Sequence, residues 1–314
     1  MKVLSLFDGM SCGHIALERA DISVEKYYAS EIDKYAIQVT QANYPDTIQL
    51  GSVIDLTDEQ LAAMDIDILI GGSPCQGFSL AGKMKGSSTK CGRDVTSLED
   101  YLTLKRMGFE FEGQSYLFWE FVRVWKIVKP KYFFLENVRV TKKWLPMFNE
   151  AMGVEPIMIN SALVSAQNRV RFYWTNIPNV TQPEDRGILL RDVLEKGVFD
   201  NGKAPTLTTI QGGHRQPKAL ITVDEQGNKI PNTPSIGQAK RIYSPDGISP
   251  SLNTGWKPQV FENPTYRKLT PTECERLQTV PDNYTDGVSN SQRYKMLGNG
   301  WTVDVIAHIF KGLK

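Results

Sequence analysis

The stretch Gly72-Ser73-Pro74-Cys75-Gln76-Gly77-Phe78-Ser79 sets a thiol between proline and glutamine in a glycine-flanked loop. A lone cysteine is most often a small buried hydrophobe. This setting is poor for packing, and a helix after the loop would favour the thiolate and make Cys75 a nucleophile. Glu136-Asn137-Val138 follows the apolar run 131–135, so Glu136 is a candidate acid, or else a helix cap or an ion-pair partner of Arg139. In Gln167-Asn168-Arg169-Val170-Arg171-Phe172-Tyr173, strand alternation would place Arg169 and Arg171 on one face. Two guanidiniums there suit a phosphate or carboxylate, or simply a solvated edge strand. Phe7-Asp8-Gly9-Met10-Ser11-Cys12-Gly13 lies between a strand pattern and a helix pattern. Its glycines would let a ligand approach the backbone, and the helix N-terminus could face an anion. It is not G-x-G-x-x-G, so a dinucleotide is not favoured. Glu31 closes the next strand, where a ribose-binding acid would stand. Taken alone, this segment fits a structural turn equally well.

The elements that must position these residues alternate. Strands are predicted over 2–7, 27–31, 65–70 and 131–135, and helices over 14–19, 34–42 and 116–128. This is the pattern of an α/β domain with a mostly parallel sheet. In such sheets ligands sit beyond the C-terminal strand ends, which here carry Asp8, Glu31, Cys75 and Glu136. From about 176 to 264 prolines and glycines are dense and helical periodicity is poor, predicting a smaller, loop-rich, β-leaning domain. Residues 204–209 and 249–254 echo one another within it. The helical pattern of 301–314 is expected to pack back on the first domain and make it discontinuous.

Of 314 residues, 41% are hydrophobic and 23% charged, which excludes a disordered chain or a small disulfide scaffold. No run reaches the ~18 apolar residues of a membrane span, and the acid at position eight argues against a signal peptide. Cys12, Cys91 and Cys274 read as structural or incidental. No C-x-x-C pair occurs, so no metal site is expected and a reducing, cytoplasmic setting fits. Charge is uneven: residues 1–75 hold 4 basic and 12 acidic side chains, whereas 121–180 hold 9 basic and 3 acidic. The basic part suits a polyanion or a set of solvated faces.

Taken in order and spacing, these segments resemble the DNA cytosine-5 methyltransferase family. Two further blocks extend the likeness, Arg267-Lys268-Leu269-Thr270-Pro271 through Gln278, and Tyr294-Lys295 through Leu297-Gly298-Asn299-Gly300-Trp301. The resemblance covers roughly 1–175 and 265–314. It implies a Rossmann-like class I S-adenosylmethionine-dependent methyltransferase domain, 1–175 plus 267–314, with a target-recognition domain at 176–266. By the resemblance, Cys75 adds to C6 of a flipped-out cytosine, Glu136 works at N3, and Arg169, with Arg171 and Gln167, steadies the intermediate. S-Adenosylmethionine would be held by Phe7, Asp8, Gly9, Met10, Gly13, Glu31, Ile32, Ser52, Val53, Pro74, Leu117, Asn299 and Trp301, leaving as S-adenosylhomocysteine. Double-stranded DNA would be met by Gln76, Ser79, Lys83 and Lys85. In the middle domain Gln211, His214, Arg215, Gln216 and Lys240 have side chains suited to base edges. Acidic and basic residues nearly balance there. Either Thr206-Leu207 or Ser251-Leu252 would match the family's paired Thr-Leu.

Three departures from the family stand out. Ser52 occupies the place where an Asp commonly accepts from the adenine amino group, with Asp55 three residues on. Gln114 stands where Arg is frequent. About twenty extra residues precede Lys105-Arg106-Met107-Gly108-Phe109, and 81–106 carries 6 basic and 3 acidic side chains. The resemblance makes that stretch part of a loop closing over DNA, where added cations would contact phosphates. A monomer is expected, with any restriction endonuclease a functional rather than a physical partner. The same chemistry on RNA, or a catalytically silent relative, are the alternatives. The Pro-Cys-Gln-Gly-Phe-Ser form speaks against RNA, and the intact Cys75, Glu136 and Arg169 against silence.

Overall fold

A computed structural model describes residues 1–74, 78, 87–195 and 269–314, with 204–205, 218–220 and 266–268 described by backbone alone. Two compact units form. The first holds Met1–Asn160, Val170–Gln182 and Val305–Lys314, and the second holds Ser161–Arg169 and Pro183–Asp304.

The first unit is built on a seven-stranded sheet. In chain order it contains β1 (Lys2–Leu6), α1 (Cys12–Arg19), β2 (Lys26–Ser30), α2 (Lys34–Asn43), β3 (Ile48–Gln49), α3 (Asp58–Ala62), β4 (Ile68–Gly71), α4 (Leu98–Arg106), α5 (Leu117–Val128), β5 (Tyr132–Val138), α6 (Leu145–Met152) and β6 (Ile157–Asn160). The strand β8 (Val170–Thr175) inserts between β5 and β6 after the short β7 (Gln167–Asn168), giving the order β3-β2-β1-β4-β5-β8-β6. Pairings from β3 to β5 are parallel, and β8 runs antiparallel to both neighbours. This is a Rossmann-like α/β sheet.

Register decides where the site lies. Leu6 pairs with Ser30 and Gly71, and Gly71 pairs with Leu135. Four parallel strands therefore reach one level together. The next residue of each strand, Phe7, Glu31, Gly72 or Glu136, lies at a single level across the sheet. Gly71 eases the packing at this level: a Cβ there would stand 3.0 Å from the Leu6 carbonyl and from the Phe121 ring. Helix α5 is seated by its composition, burying Phe118, Trp119, Phe121, Val122 and Val124. Burying these large side chains is the main driving force for placing it on the sheet.

Three sequence expectations shift. The strand predicted from Asp65 begins at Ile68, because the Asp65 carboxylate takes the Lys2 ammonium (2.7 Å) and the Asp67 carboxylate takes the Lys2 backbone N–H (2.7 Å). Strand β5 runs on to Val138, since its last residues pair with β8, so Glu136 lies within the strand rather than past its end. The third concerns the extra segment, of which 87–106 is described. The described part is not all loop. Bridges join Ser88 to Asp94 and Thr89 to Phe111. Helix α4 is capped by Ser97, with acids in its first turn and bases in its last. Tyr101 and Leu104 are buried in the core.

This insertion is wired to the sheet. Glu120 of α5 is fully buried and accepts from Arg123 Nε (2.7 Å), Lys105 Nζ (2.6 Å) and the Tyr101 hydroxyl. Arg123 continues to Asp58 (2.5 Å) and to the carbonyls of Val53 (3.2 Å) and Leu56 (3.0 Å). Five side chains from α3, α4 and α5 thus share one network, buried at Glu120, Arg123 and Tyr101 and open to solvent at Asp58, that ends on the turn carrying Ser52 and Val53.

The second unit contains β9 (Ala204–Pro205), β10 (Lys218–Leu220), β11 (Tyr266–Lys268), α7 (Pro271–Leu277) and α8 (Asn290–Asn299). β7 pairs with β9 and β10 with β11. Thr270 and Glu273 form a reciprocal capping box at the start of α7. The last helix, α9 (Val303–Phe310), brings Phe310 onto Phe134 with ring centroids 5.3 Å apart, inside the first unit. Among the described residues no helix is long and apolar enough to cross a membrane.

Candidate active site

The turn after β1 is held in a conformation that ordinary residues avoid. Phe7, Gly9 and Ser11 all have φ near 60°. Gly9 has no atom within 4 Å of where a Cβ would sit, which leaves its backbone open to close approach. Helix α1 begins with no side-chain cap and no acid in its first turn. Met10 and Gly13 are buried behind it.

Asp8 takes hydrogen bonds from the Tyr27 hydroxyl (2.8 Å) and from Ser11. Burial outweighs these bonds and, with the nearby Glu31 charge, pushes its carboxyl from 3.8 up to about 6. The folded protein therefore holds this proton more tightly than the unfolded chain. Stability is highest below pH 4 as far as this group is concerned and falls as pH rises through about 6, by ~3 kcal/mol. Asp8→Asn is expected to remove that fall, so melting curves of variant and wild type diverge between pH 4 and 7. Parallel pH profiles would reject the assignment.

Glu31 is oriented by backbone. Its Oε2 accepts from Gly9 N (2.8 Å), and its Oε1 from Ile32 N (2.7 Å) and Asp33 N (2.8 Å). The carboxylate keeps lone pairs for a further donor. Ile32 beside it is 71% exposed. Ser52 caps the 3-10 turn Val53–Asp55, accepting from Ile54 N at 3.3 Å, and Val53 is buried. Ser30 Oγ holds the Gly51 carbonyl (2.8 Å) from the other side. Pro74 and Leu117 are half-buried at the ends of β4's loop and the start of α5. Gly9, Glu31, Ile32 and the uncapped helix start suit a ligand with a carboxylate, a ribose and a flat ring.

On β5, Glu136 is buried and its Oε1 lies 2.9 Å from Arg171 Nε, across the β5–β8 pair. Its ion-pair partner is thus Arg171 and not Arg139. Asn137 was not singled out by sequence, yet it binds both the carbonyl (3.3 Å) and the hydroxyl (3.2 Å) of Ser73. It ties the strand to the segment that leads into Cys75. The only signal for it was its position between Glu136 and Val138. Phe78, beyond the loop, is fully buried against Trp144 and Phe148, and its carbonyl accepts from Thr141 N (3.2 Å).

The two arginines read as sharing a strand face do not share one. β8 starts at Val170, so Arg169 stands before it. In the second unit Arg169 is buried and donates to the carbonyls of Gly298 (3.4 Å) and Gly300 (2.9 Å). Gln167 donates to Leu277 O (3.1 Å) and Gln278 Oε1 (3.2 Å), and Gln278 in turn donates to Leu297 O (2.6 Å). The distant sequence blocks around 167, 278 and 298 are thereby one hydrogen-bonded assembly. Trp301 is buried and Asn299 exposed in that unit.

Cys75, Gln76, Ser79, Lys83, Lys85, Gln211, His214, Arg215, Gln216 and Lys240 lie outside the described residues. So do the echoing segments 206–209 and 249–254 with their Thr-Leu and Ser-Leu pairs. Cys12 and Cys274 are buried, and burial pushes the Cys274 thiol up to about 12.

A family model for C-5 cytosine-specific DNA methylase matches residues 1–181 and 190–314. Type II methyltransferase M.NlaX of Neisseria lactamica is 28% identical, covering 100% of this chain and 96% of that protein. Type II methyltransferase M.HhaI of Haemophilus parahaemolyticus is 27% identical over 98% and 93%, and orphan methyltransferase M.SPBetaI of Bacillus phage SPbeta 26% over 100% and 97%. Among solved structures, Entamoeba histolytica methyltransferase EhMeth shares the fold at TM-score 0.65 and 16% identity, covering 100% and 99% of the two chains. A putative DNA modification methyltransferase encoded within an E. coli prophage does so at 0.61 and 20%, covering 100% and 98%. The match over nearly the whole length, joined to the strand-end geometry, shows that the chain belongs to the C-5 cytosine-specific DNA methylase family.

Proposed function

We propose that the protein transfers a methyl group from S-adenosylmethionine to C5 of a flipped-out cytosine in a specific DNA sequence, through a covalent Cys75–C6 adduct. The observation that carries this reading is the register that brings Phe7, Glu31, Gly72 and Glu136 to one level across the sheet. The Phe7–Gly13 turn and α1 N-terminus would hold the methionine end, Glu31 the ribose hydroxyls, and Ile32, Ser52 and Val53 the adenine. Asn299 and Trp301 are assigned to the same cofactor by the family likeness. S-Adenosylmethionine, when bound, supplies an electrophilic methyl and leaves as S-adenosylhomocysteine.

The chain's own residues make cytosine reactive. The Cys75 thiolate adds to C6, breaking the C5–C6 double bond and leaving electron density at C5. Glu136 holds a proton at N3 as charge gathers there, and Arg169 steadies O2. Once C5 carries the methyl, its proton passes to a base, the double bond reforms and Cys75 leaves as thiolate. The target must leave the stack, because C5 and C6 are closed to attack in a duplex.

Functionally we divide the chain into a catalytic part, 1–175 with 267–314, and a target-recognition part, 176–266. We propose that it acts as a monomer in the cytoplasm. Its relatives include both type II and orphan methyltransferases, so a cognate endonuclease is a functional partner at most. The test is incubation with unmethylated genomic DNA and S-adenosylmethionine, then mass analysis of nucleosides. 5-Methylcytosine is expected. Its absence with cofactor bound, or its appearance only with transfer RNA as substrate, would overturn the reading.

A further inference from the structure

Residues 121–180 carry nine basic side chains against three acidic ones. The structure sorts these cations by role. Arg123 is engaged by Glu120, Arg171 by Glu136, and Arg169 by two carbonyls. The other six form two trios at opposite ends of β5. Lys126, Lys129 and Lys131 precede the strand, and Arg139, Lys142 and Lys143 follow it. All six are exposed, and none has an ion-pair partner among the described residues, whereas exposed Lys90 and Lys314 are paired with Glu110 and Asp21. The seven residues of β5 set the trios ~20 Å apart.

The two ends are not equivalent. The second trio begins three residues after Glu136, and no acid stands between Glu136 and Glu150. Its segment also holds Phe78, three residues after Cys75 in the chain: Thr141 N donates to the Phe78 carbonyl (3.2 Å), and Phe78 packs on Trp144, with ring centroids 5.8 Å apart. Lys143 lies over the Trp144 ring at 4.4 Å, as Lys126 and Lys131 lie over Trp125 (4.6 Å) and Tyr132 (4.9 Å) at the other end. Three uncompensated cations thus flank the strand end that carries the base-holding carboxylate. A phosphodiester backbone is the polyanion that a flipped nucleotide brings to that place.

We propose that Arg139, Lys142 and Lys143 form a phosphate-contacting surface that grips the DNA backbone beside the flipped cytosine. This rests on the function proposed above. Such contacts position the duplex without reading its sequence. They show in the salt dependence of binding, about 0.9 in the log–log slope per neutralised phosphate. The test uses the full chain, a random-sequence duplex and a salt series. Two variants are compared with wild type: Arg139→Ala/Lys142→Ala/Lys143→Ala, and the matched Lys126→Ala/Lys129→Ala/Lys131→Ala at the far end. Binding of S-adenosylhomocysteine reports that each is folded.

The slope is expected to become shallower by about 2 to 3 in the first variant and to stay at the wild-type value in the second. Arg139→Ala/Lys142→Ala, which spares the Trp144 contact, should lose about two thirds as much. An unchanged slope in the first variant, or an equal loss in both triples, would overturn the surface. If wild type forms 5-methylcytosine while the slopes agree, the surface alone fails. If the slopes differ as expected but no 5-methylcytosine forms, the surface stands and the catalytic reading fails.

Discussion

Cys75→Ala is expected to abolish methyl transfer, by ~10⁴-fold or more, while the protein still binds S-adenosylmethionine with unchanged affinity. The size follows from the chemistry: without a thiolate at C6, cytosine C5 is too weak a nucleophile to take a methyl, and covalent nucleophiles are lost at this scale. The separation of binding from transfer follows from the fold. Most of the groups assigned to the cofactor sit after β1 and β2 and in the Ser52 turn, and the substitution leaves all of them in the chain. Calorimetric titration and a radiolabel transfer assay check the two halves. Retained turnover would remove the covalent mechanism, and lost cofactor binding would relocate Cys75 to a structural role.

Glu136→Gln should lower kcat by about 10² to 10⁴. The amide preserves shape but cannot exchange a proton with N3 as a carboxyl does. It also leaves Arg171, whose side chain is 13% exposed, without a counter-charge, and a broken buried pair costs ~3–5 kcal/mol of stability. The two effects are separable. The double variant Glu136→Gln/Arg171→Met should recover much of the lost stability in urea melts while its kcat stays low. Recovery of kcat along with stability would show that Glu136 serves only to hold Arg171.

The first four elements were legible because their signals are local. A run of apolar residues ended by Asp8-Gly9, and a second ended by Glu31 before the Asp33 cap, mark β1, α1, β2 and α2 within a residue or two. Glu136 was misplaced past its strand because the partner that extends β5 is β8, a non-local antiparallel neighbour. Arg169 and Arg171 were joined by alternation, which holds only inside a strand, and the strand opens between them. Helix α4 was overlooked because length comparison cast its segment as loop. Its own signals were present: Ser97 as cap, Glu99 and Asp100 in the first turn, Lys105 and Arg106 in the last, and Tyr101 with Leu104 on one face.

The buried network around Glu120 bears on how such a protein can vary. The inserted helix and the turn carrying Ser52 look like separate departures from the family, one in length and one in side chain. They meet through Tyr101, Lys105, Glu120 and Arg123 on the carbonyls of Val53 and Leu56. Excising the insertion would strip Glu120 of the Tyr101 hydroxyl and remove most of the helix that presents Lys105, loosening Arg123's hold on the turn. The two segments should therefore be inherited as a unit, and a chimera that exchanges one with a relative should work only if it exchanges the other.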